Sequence, residues 1–283
     1  MNKSKGILYI SLSAFFFSLM AVAVKATPNI PVVEKIFFRN MIGLVPILIN
    51  AYQTNTSLKP NNTKLILIRS TFGLLGIFAY YTALSLLSLS DAVIMNKLSP
   101  FFVLVFSAIF LKEKIKGKQI YALILAVTGA LFVIKPSFDL TVIPALIGLS
   151  SAILAGAAYT TVRKLSESDA PIVIVFYFSL ITTLVTIPVM LITKNFVIPK
   201  GPEALLLILI GLSAVTAQIF MTSAYRYAPA GELTIYSYSN IIFSIIFSIV
   251  IWSDFPDFYS LIGALLIVSG GYINYKVKKK KRL

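Results

Sequence analysis

Apolar residues run along this chain in stretches of about twenty, each stopped by a short polar break, and the pattern recurs ten times. The runs cover approximately residues 6–25, 32–52, 64–87, 91–111, 118–135, 143–164, 171–193, 203–227, 231–252 and 257–276. A hydrocarbon core of roughly 30 Å takes about 20 helical residues to cross, so each run predicts one transmembrane helix. The breaks carry turn chemistry, as in Thr27-Pro28-Asn29, Lys59-Pro60-Asn61-Asn62, Lys135-Pro136-Ser137, Pro199-Lys200-Gly201-Pro202 and Asp254-Phe255-Pro256-Asp257. All are short, and no soluble domain is expected between spans. The first run follows Lys3 and Lys5, and Ala21-Val22-Ala23 imitates a signal-peptide cleavage site. From Gly6 to Val24 it is too long for a typical signal core, and it has a counterpart later in the chain, so it is read as a retained helix.

The pattern also repeats internally. Shifted by 141 residues, 81–134 falls on 222–275 without a gap, pairing Ala83 with Ala224, Asp91 with Glu232, Ser107 with Ser248, Glu113 with Asp254 and Gly129 with Gly270. A shift of 138 pairs the first span with the sixth through Ser13 and Ser151, Ala14 and Ala152, and Lys25 and Arg163. Five helices are therefore duplicated, and an odd number makes the second copy enter the membrane from the opposite side. The expectation is an all-α integral membrane protein of ten transmembrane helices in two inverted five-helix repeats, over residues 1–138 and 139–283, the second with a basic tail.

Composition narrows the chemistry. The 283 residues are 58% hydrophobic and contain no cysteine and no histidine. Disulfides, thiolate nucleophiles, imidazole catalysis and His or Cys metal sites are excluded, and no cofactor is expected. No phosphate-binding P-loop occurs, so the chain is not expected to hydrolyse ATP. The net charge of +15 is a topology signal. With the amino terminus in the cytoplasm, 17 of the 25 Lys and Arg fall on cytoplasmic segments, 4 on external ones and Lys35, Arg39, Arg69 and Lys97 within helices. This bias predicts a multi-pass protein with both termini cytoplasmic. The Lys278–Arg282 run then contacts anionic lipid, and nucleic acid is not an expected partner.

The fourth run is the most informative. Ser90 is placed to cap its start, and Asp91 suits the positive helix end. Lys97 lies seven residues further in, about 10 Å below the outer helix end at 1.5 Å per residue. Pro100 cannot donate to the carbonyl of Asn96, so a helix bend is expected beside a cation. An ionisable group at such depth is a functional-site hypothesis, against snorkelling or a structural ion pair.

Three segments together resemble the EamA-type branch of the drug/metabolite transporter superfamily. They are Arg69-Ser70-Thr71-Phe72-Gly73, Phe78-Ala79-Tyr80-Tyr81-Thr82-Ala83-Leu84, and Ser90-Asp91-Ala92 through Leu98-Ser99-Pro100-Phe101-Phe102 to Leu111-Lys112-Glu113-Lys114. In the second half Tyr225-Arg226-Tyr227-Ala228-Pro229-Ala230-Gly231-Glu232 is similar to the equivalent junction. The resemblance spans essentially the whole chain. It implies ten helices and secondary transport of small metabolites in a bacterial cytoplasmic membrane, without naming a substrate. Relatives carry amino acids, nucleotide-linked or phosphorylated compounds, S-adenosylmethionine, riboflavin or drugs. Ile241 stands where the repeat would place a second Pro100, so a bend is expected in the fourth span only. Asp254 replaces the branch's usual glutamate.

The candidate substrate-binding residues are Lys97, Arg39, Asn96, Tyr80, Tyr81, Tyr236, Tyr238 and Met95. Arg39, about 10 Å from the outer end of the second span, can grip a carboxylate or phosphate with two parallel N–H donors; the alternative is an ion pair with a neighbour such as Glu34. The register sets Tyr236 opposite Met95 and Tyr238 opposite Lys97 across the pseudo-twofold axis. Packing is the alternative for the tyrosines, and interhelical bridging for Asn96. Asp91 and Glu232 are candidates for ion coupling, against a role as first-turn helix residues. Arg69, near the cytoplasmic end of the third span, is expected to snorkel outward.

The expected function is secondary transport of a small anionic or zwitterionic metabolite, an amino acid or related compound, by alternating access around a central cavity. A broad-specificity efflux pump is the alternative, though two deep cations suit a cationic drug poorly. A membrane-embedded enzyme lacks its residues: there is no Ser-His pair or zinc motif, and the aspartates fall at helix ends. An assembly subunit remains a further alternative. The expected partners are a small-molecule solute and the lipid bilayer, and the expected state is a monomer or homodimer.

Overall fold

The computed structural model describes residues 3–112, 114–135, 142–165, 167–194, 196–227 and 233–280, and among these the regular structure is helical. The elements are α1 (Lys3–Lys25), α2 (Val32–Gln53), α3 (Thr63–Leu86), α4 (Leu89–Asn96), α5 (Ser99–Phe110), α6 (Gly117–Ile134), α7 (Ile143–Leu165), α8 (Pro171–Thr193) and α9 (Pro202–Tyr227). A 3₁₀ segment (Thr234–Tyr238), α10 (Ser239–Trp252) and α11 (Phe258–Lys280) complete the chain. Among the described residues nine spans are long and apolar enough to cross a membrane by composition alone. The tenth is α2, which has the length, 22 residues, but carries Glu34, Lys35 and Arg39 in its first half. The junction expected between residues 138 and 139 lies outside the described residues.

The helices pack as two copies related by a pseudo-twofold operation. α1 lies along α9 as α3 lies along α7; α5 rests on α7 as α10 rests on α1; α2 meets α8, and α6 meets α11, across the axis. Helix ends repeat as well. The left-handed residues Lys112 (φ 55°) and Ser253 (φ 53°) terminate α5 and α10 at a separation of 141 positions. Asn55 (φ 49°) and Lys194 (φ 51°) follow α2 and α8 at a separation of 139.

Small residues hold the axis together. A Cβ on Gly129 of α6 would stand 2.7 Å from the Gly263 carbonyl oxygen of α11, and one on Gly270 would stand 2.7 Å from that of Ala122. Under the 141-residue register these are one contact seen twice, since Ala122 corresponds to Gly263 and Gly129 to Gly270. Close approach of this kind replaces hydrophobic collapse, because lipid tails are as apolar as leucine. The interior is accordingly rich in Ala, Ser and Gly: Ser18, Ala21, Ala23, Ser151, Ala152 and Ala217 are fully buried. Large apolar side chains such as Ile192 and Leu265 project outward, toward lipid.

The fourth span is not one helix. α4 ends at Asn96, the Leu98 N–H donates to the Met95 carbonyl (3.1 Å), and α5 restarts with Pro100 in its first turn. The cap at its start is Ser88, whose hydroxyl accepts from the Asp91 N–H at 2.9 Å; Ser90, expected there, is fully buried and bonded to Ser88 instead. The ninth span is irregular too, contrary to the expectation from its missing proline. Its 3₁₀ turn becomes α-helix at Ser239, one residue past the match of Lys97. There the Ser239 hydroxyl and backbone N–H both donate to the Tyr236 carbonyl, the hydroxyl at 2.7 Å, and the Tyr238 ring fills the space over Gly271.

Gly263→Leu should cost about 2 kcal/mol by overpacking against backbone. Gly43→Ala, where an added Cβ meets nothing within 4 Å, should be neutral or stabilise by up to about 1 kcal/mol through helix propensity. Thermal unfolding in detergent compares the two.

Candidate functional site

Lys97 occupies the turn between α4 and α5, where the chain is neither helix. It is partly accessible, and its ammonium has no hydrogen bond or ion pair among the described residues. Its neighbours in sequence are fixed to α7. The Asn96 amide donates to the Ser151 hydroxyl at 3.2 Å, and Met95 is fully buried, 3.3 Å from a Cβ built on Gly148. In the other half Asn240 is held by α1, donating to the Ala14 carbonyl at 2.9 Å and to the Ser18 hydroxyl. Both irregular segments are thus anchored to helices that occupy equivalent places in the two repeats.

Tyr238, the repeat counterpart of Lys97, packs away from solvent. Tyr238 is 3% exposed and lies against Gly271 of α11, with its hydroxyl unbonded. No hydrogen bond or electrostatic contact joins the two residues. Tyr236 packs with Ile10, Ala224 and Leu233. The clefts open at the end of α2, lined by Leu48, Tyr52 and Leu58, and beside α1, lined by Leu8, Phe15 and Phe243, contain none of the candidate residues.

A second group of polar residues gathers between α2, α3 and α8. Glu34, the neighbour proposed as an ion-pair partner for Arg39, instead accepts the Val197 N–H at 3.1 Å, and the adjacent Lys35 donates to the Val24 carbonyl at 3.0 Å. Among the described residues Arg39 donates only to the Asn40 side chain, at 3.1 Å, and its Nε is buried without a partner. Arg69 does not snorkel. It is 8% exposed, and its guanidinium lies 3.9 Å from the centre of the Phe178 ring of α8. It extends along α3 over Gly73, where a Cβ would overlap Nη1. Its Nε and Nη1 are buried and unbonded, and it is within electrostatic reach of Arg39 and Tyr159. Tyr81, fully buried, has an unbonded hydroxyl and is within reach of Arg39; its ring lies 6.2 Å from that of Tyr80, which is partly accessible. Thr182, one turn beyond Phe178, also has a buried, unbonded hydroxyl.

Sequence reasoning missed Arg69 and Thr182. A usable signal was the glycine four positions after Arg69, on the same helix face, which leaves room for a long side chain lying along the helix.

Asp91 stands apart from both groups, at the membrane face opposite the termini. It is within electrostatic reach of Lys25, Lys135 and Asp257. Lys25 donates to the Leu87 carbonyl at 2.6 Å, and Lys135 pairs with Asp257 across the ends of α6 and α11. Burial opposes ionisation of Asp257, but the Lys135 ammonium and the Ser260 and Tyr259 N–H groups outweigh it and hold the carboxyl below its ordinary range. Glu232, the other candidate for coupling, lies outside the described residues.

Ten membrane helices in two inverted repeats, with a span broken at a cation, are an architecture shared by many secondary transporters. The EamA-like transporter family matches residues 4–135 and again 142–275, and the chain belongs to it. It is similar to the pseudopaline exporter CntI of Pseudomonas aeruginosa, 36% identical over 266 residues, which are 93% of each chain. It is also similar to mouse solute carrier family 35 member G1, at 28% identity over 93% of this chain and 76% of that one. A solved crystal structure shares the fold over the full length of both chains, with a TM-score of 0.71 at 18% identity.

Because the Asp257 carboxyl is lowered in the folded state, the contribution of its pair is present above the ordinary carboxylate pKa and is lost as pH falls through the folded value. Lys135→Ala should lower stability by about 0.5 kcal/mol at neutral pH, the small effect of an exposed pair. The difference from the parent should shrink as pH falls through and below the ordinary carboxylate range of about 4, as read from melting temperatures across a pH series.

Proposed function

We propose that this chain is a secondary transporter that moves a small anionic or zwitterionic metabolite, an amino acid or related compound, across the bacterial cytoplasmic membrane by alternating access. The observation that carries the reading is Lys97: a cation partway through a membrane span, at a break in the helix, partly accessible and without an acidic partner. Leaving such a group unpaired in low dielectric is costly, and an anionic solute offsets that cost on binding. The matched packing of the two halves supports alternating access, since exchanging their conformations would turn an opening at one face into its counterpart at the other. The sidedness we propose puts the termini in the cytoplasm, on the strength of the lysine distribution. A relative described as an exporter makes export the first direction to measure.

Proteoliposomes loaded with a mixture of labelled amino acids test the reading. Lys97→Ala should slow release of whichever solute the parent moves by about tenfold or more, equivalent to about 1.4 kcal/mol, and Lys97→Arg should recover part of the rate. Equal release by the parent and Lys97→Ala would remove Lys97 from the site.

A further inference from the structure

We infer that Arg39, Arg69 and Tyr81 form one oxyanion-binding site, which receives a carboxylate or phosphate group of the transported solute. This rests on the transport reading and deepens it, because it places the anion at residues of α2 and α3 rather than at Lys97 alone.

The donors are in place. Arg39 Nε, Arg69 Nε and Nη1 and the Tyr81 hydroxyl are buried without hydrogen bonds, as is the Thr182 hydroxyl on α8. Arg69 is more than nine-tenths buried and Tyr81 fully so. A buried polar group without a partner is expensive, and here the unbonded groups are concentrated between helices that pack on one another, α8 lying against both α2 and α3.

The charges point to the same ligand. The two guanidinium groups are close enough to repel, and Glu34, the carboxylate on α2, makes no ion pair with either: one oxygen accepts the Val197 N–H and the other is buried without a partner. Two like charges in low dielectric are stabilised by an anion between them. Guanidinium groups present planar N–H forks that match the paired oxygens of carboxylate and phosphate. Phe178 stacks on the face of Arg69, which leaves the N–H edges free to donate. Gly73 is the condition for this pose, because any side chain there would displace the guanidinium.

The test is thermal unfolding of the purified protein in detergent with sodium succinate, inorganic phosphate or sodium chloride at matched ionic strength. Succinate or phosphate should raise the melting temperature by roughly 2–4 °C, with chloride ineffective; a response to succinate alone identifies a carboxylate, and to phosphate alone a phosphate ester. The midpoint concentration should rise at least tenfold in Arg39→Gln and Arg69→Gln and stay unchanged in Gly43→Ala, a change on α2 that meets no neighbour. If Arg69→Gln does not yield folded protein, Arg39→Gln, at a partly accessible position, decides the matter. No shift with either oxyanion at concentrations up to about 100 mM, or a shift that persists undiminished in the arginine variants, overturns the site. Oxyanion binding in a protein that moves no solute in proteoliposomes keeps the site and removes the transport reading; transport that depends on Lys97 without any oxyanion shift does the reverse.

Discussion

Hydrocarbon offers no partner for a backbone N–H or C=O, and each one left open costs several kcal/mol. A spanning chain therefore stays helical unless protein surrounds it. This chain departs from helix inside the membrane at Lys97–Leu98 and in the turn ending at Tyr238, positions equivalent under the repeat. Both departures are enclosed by helices of the opposite half, α7 around the first and α1 around the second, through Asn96 with Ser151 and Asn240 with Ser18. The fold of ten helices is what allows the irregular backbone to exist.

The two halves carry the same irregularity with different residues. In the first, proline removes a donor from the ladder. In the second, a serine hydroxyl donates to a carbonyl and a tyrosine ring lies over a glycine. The symmetry is therefore one of backbone path and packing, and it does not extend to side-chain chemistry. Lys97, Arg39 and Arg69 all belong to the first half, so the positive potential inside the membrane is one-sided even though the packing is not.

Electrostatics inside the span follow from a shortage of acids. Ten Asp and Glu serve 25 Lys and Arg; Asp257 pairs with Lys135 at a membrane face, and Glu34 accepts a backbone N–H rather than pairing with Arg39. Aromatic rings take the place of carboxylates around Arg69, which holds the side chain without neutralising it. An anionic solute supplies what the chain lacks.

The sequence by itself determined the spans, their number and the duplication, because hydropathy acts over one helix length and a gapless register survives in the residues that pack the axis, such as Gly129 and Gly270. It also located Lys97 and the discontinuity beside Pro100, since proline's missing N–H is a local property. Only the tertiary structure decided which polar groups find partners. Arg69 looked free to reach the aqueous face, but Gly73 and Phe178 draw it inward. Arg39 looked able to pair with Glu34, but Val197, from a distant loop, takes that carboxylate. Both outcomes depend on which helices meet, a relation between segments more than a hundred residues apart that no local periodicity records.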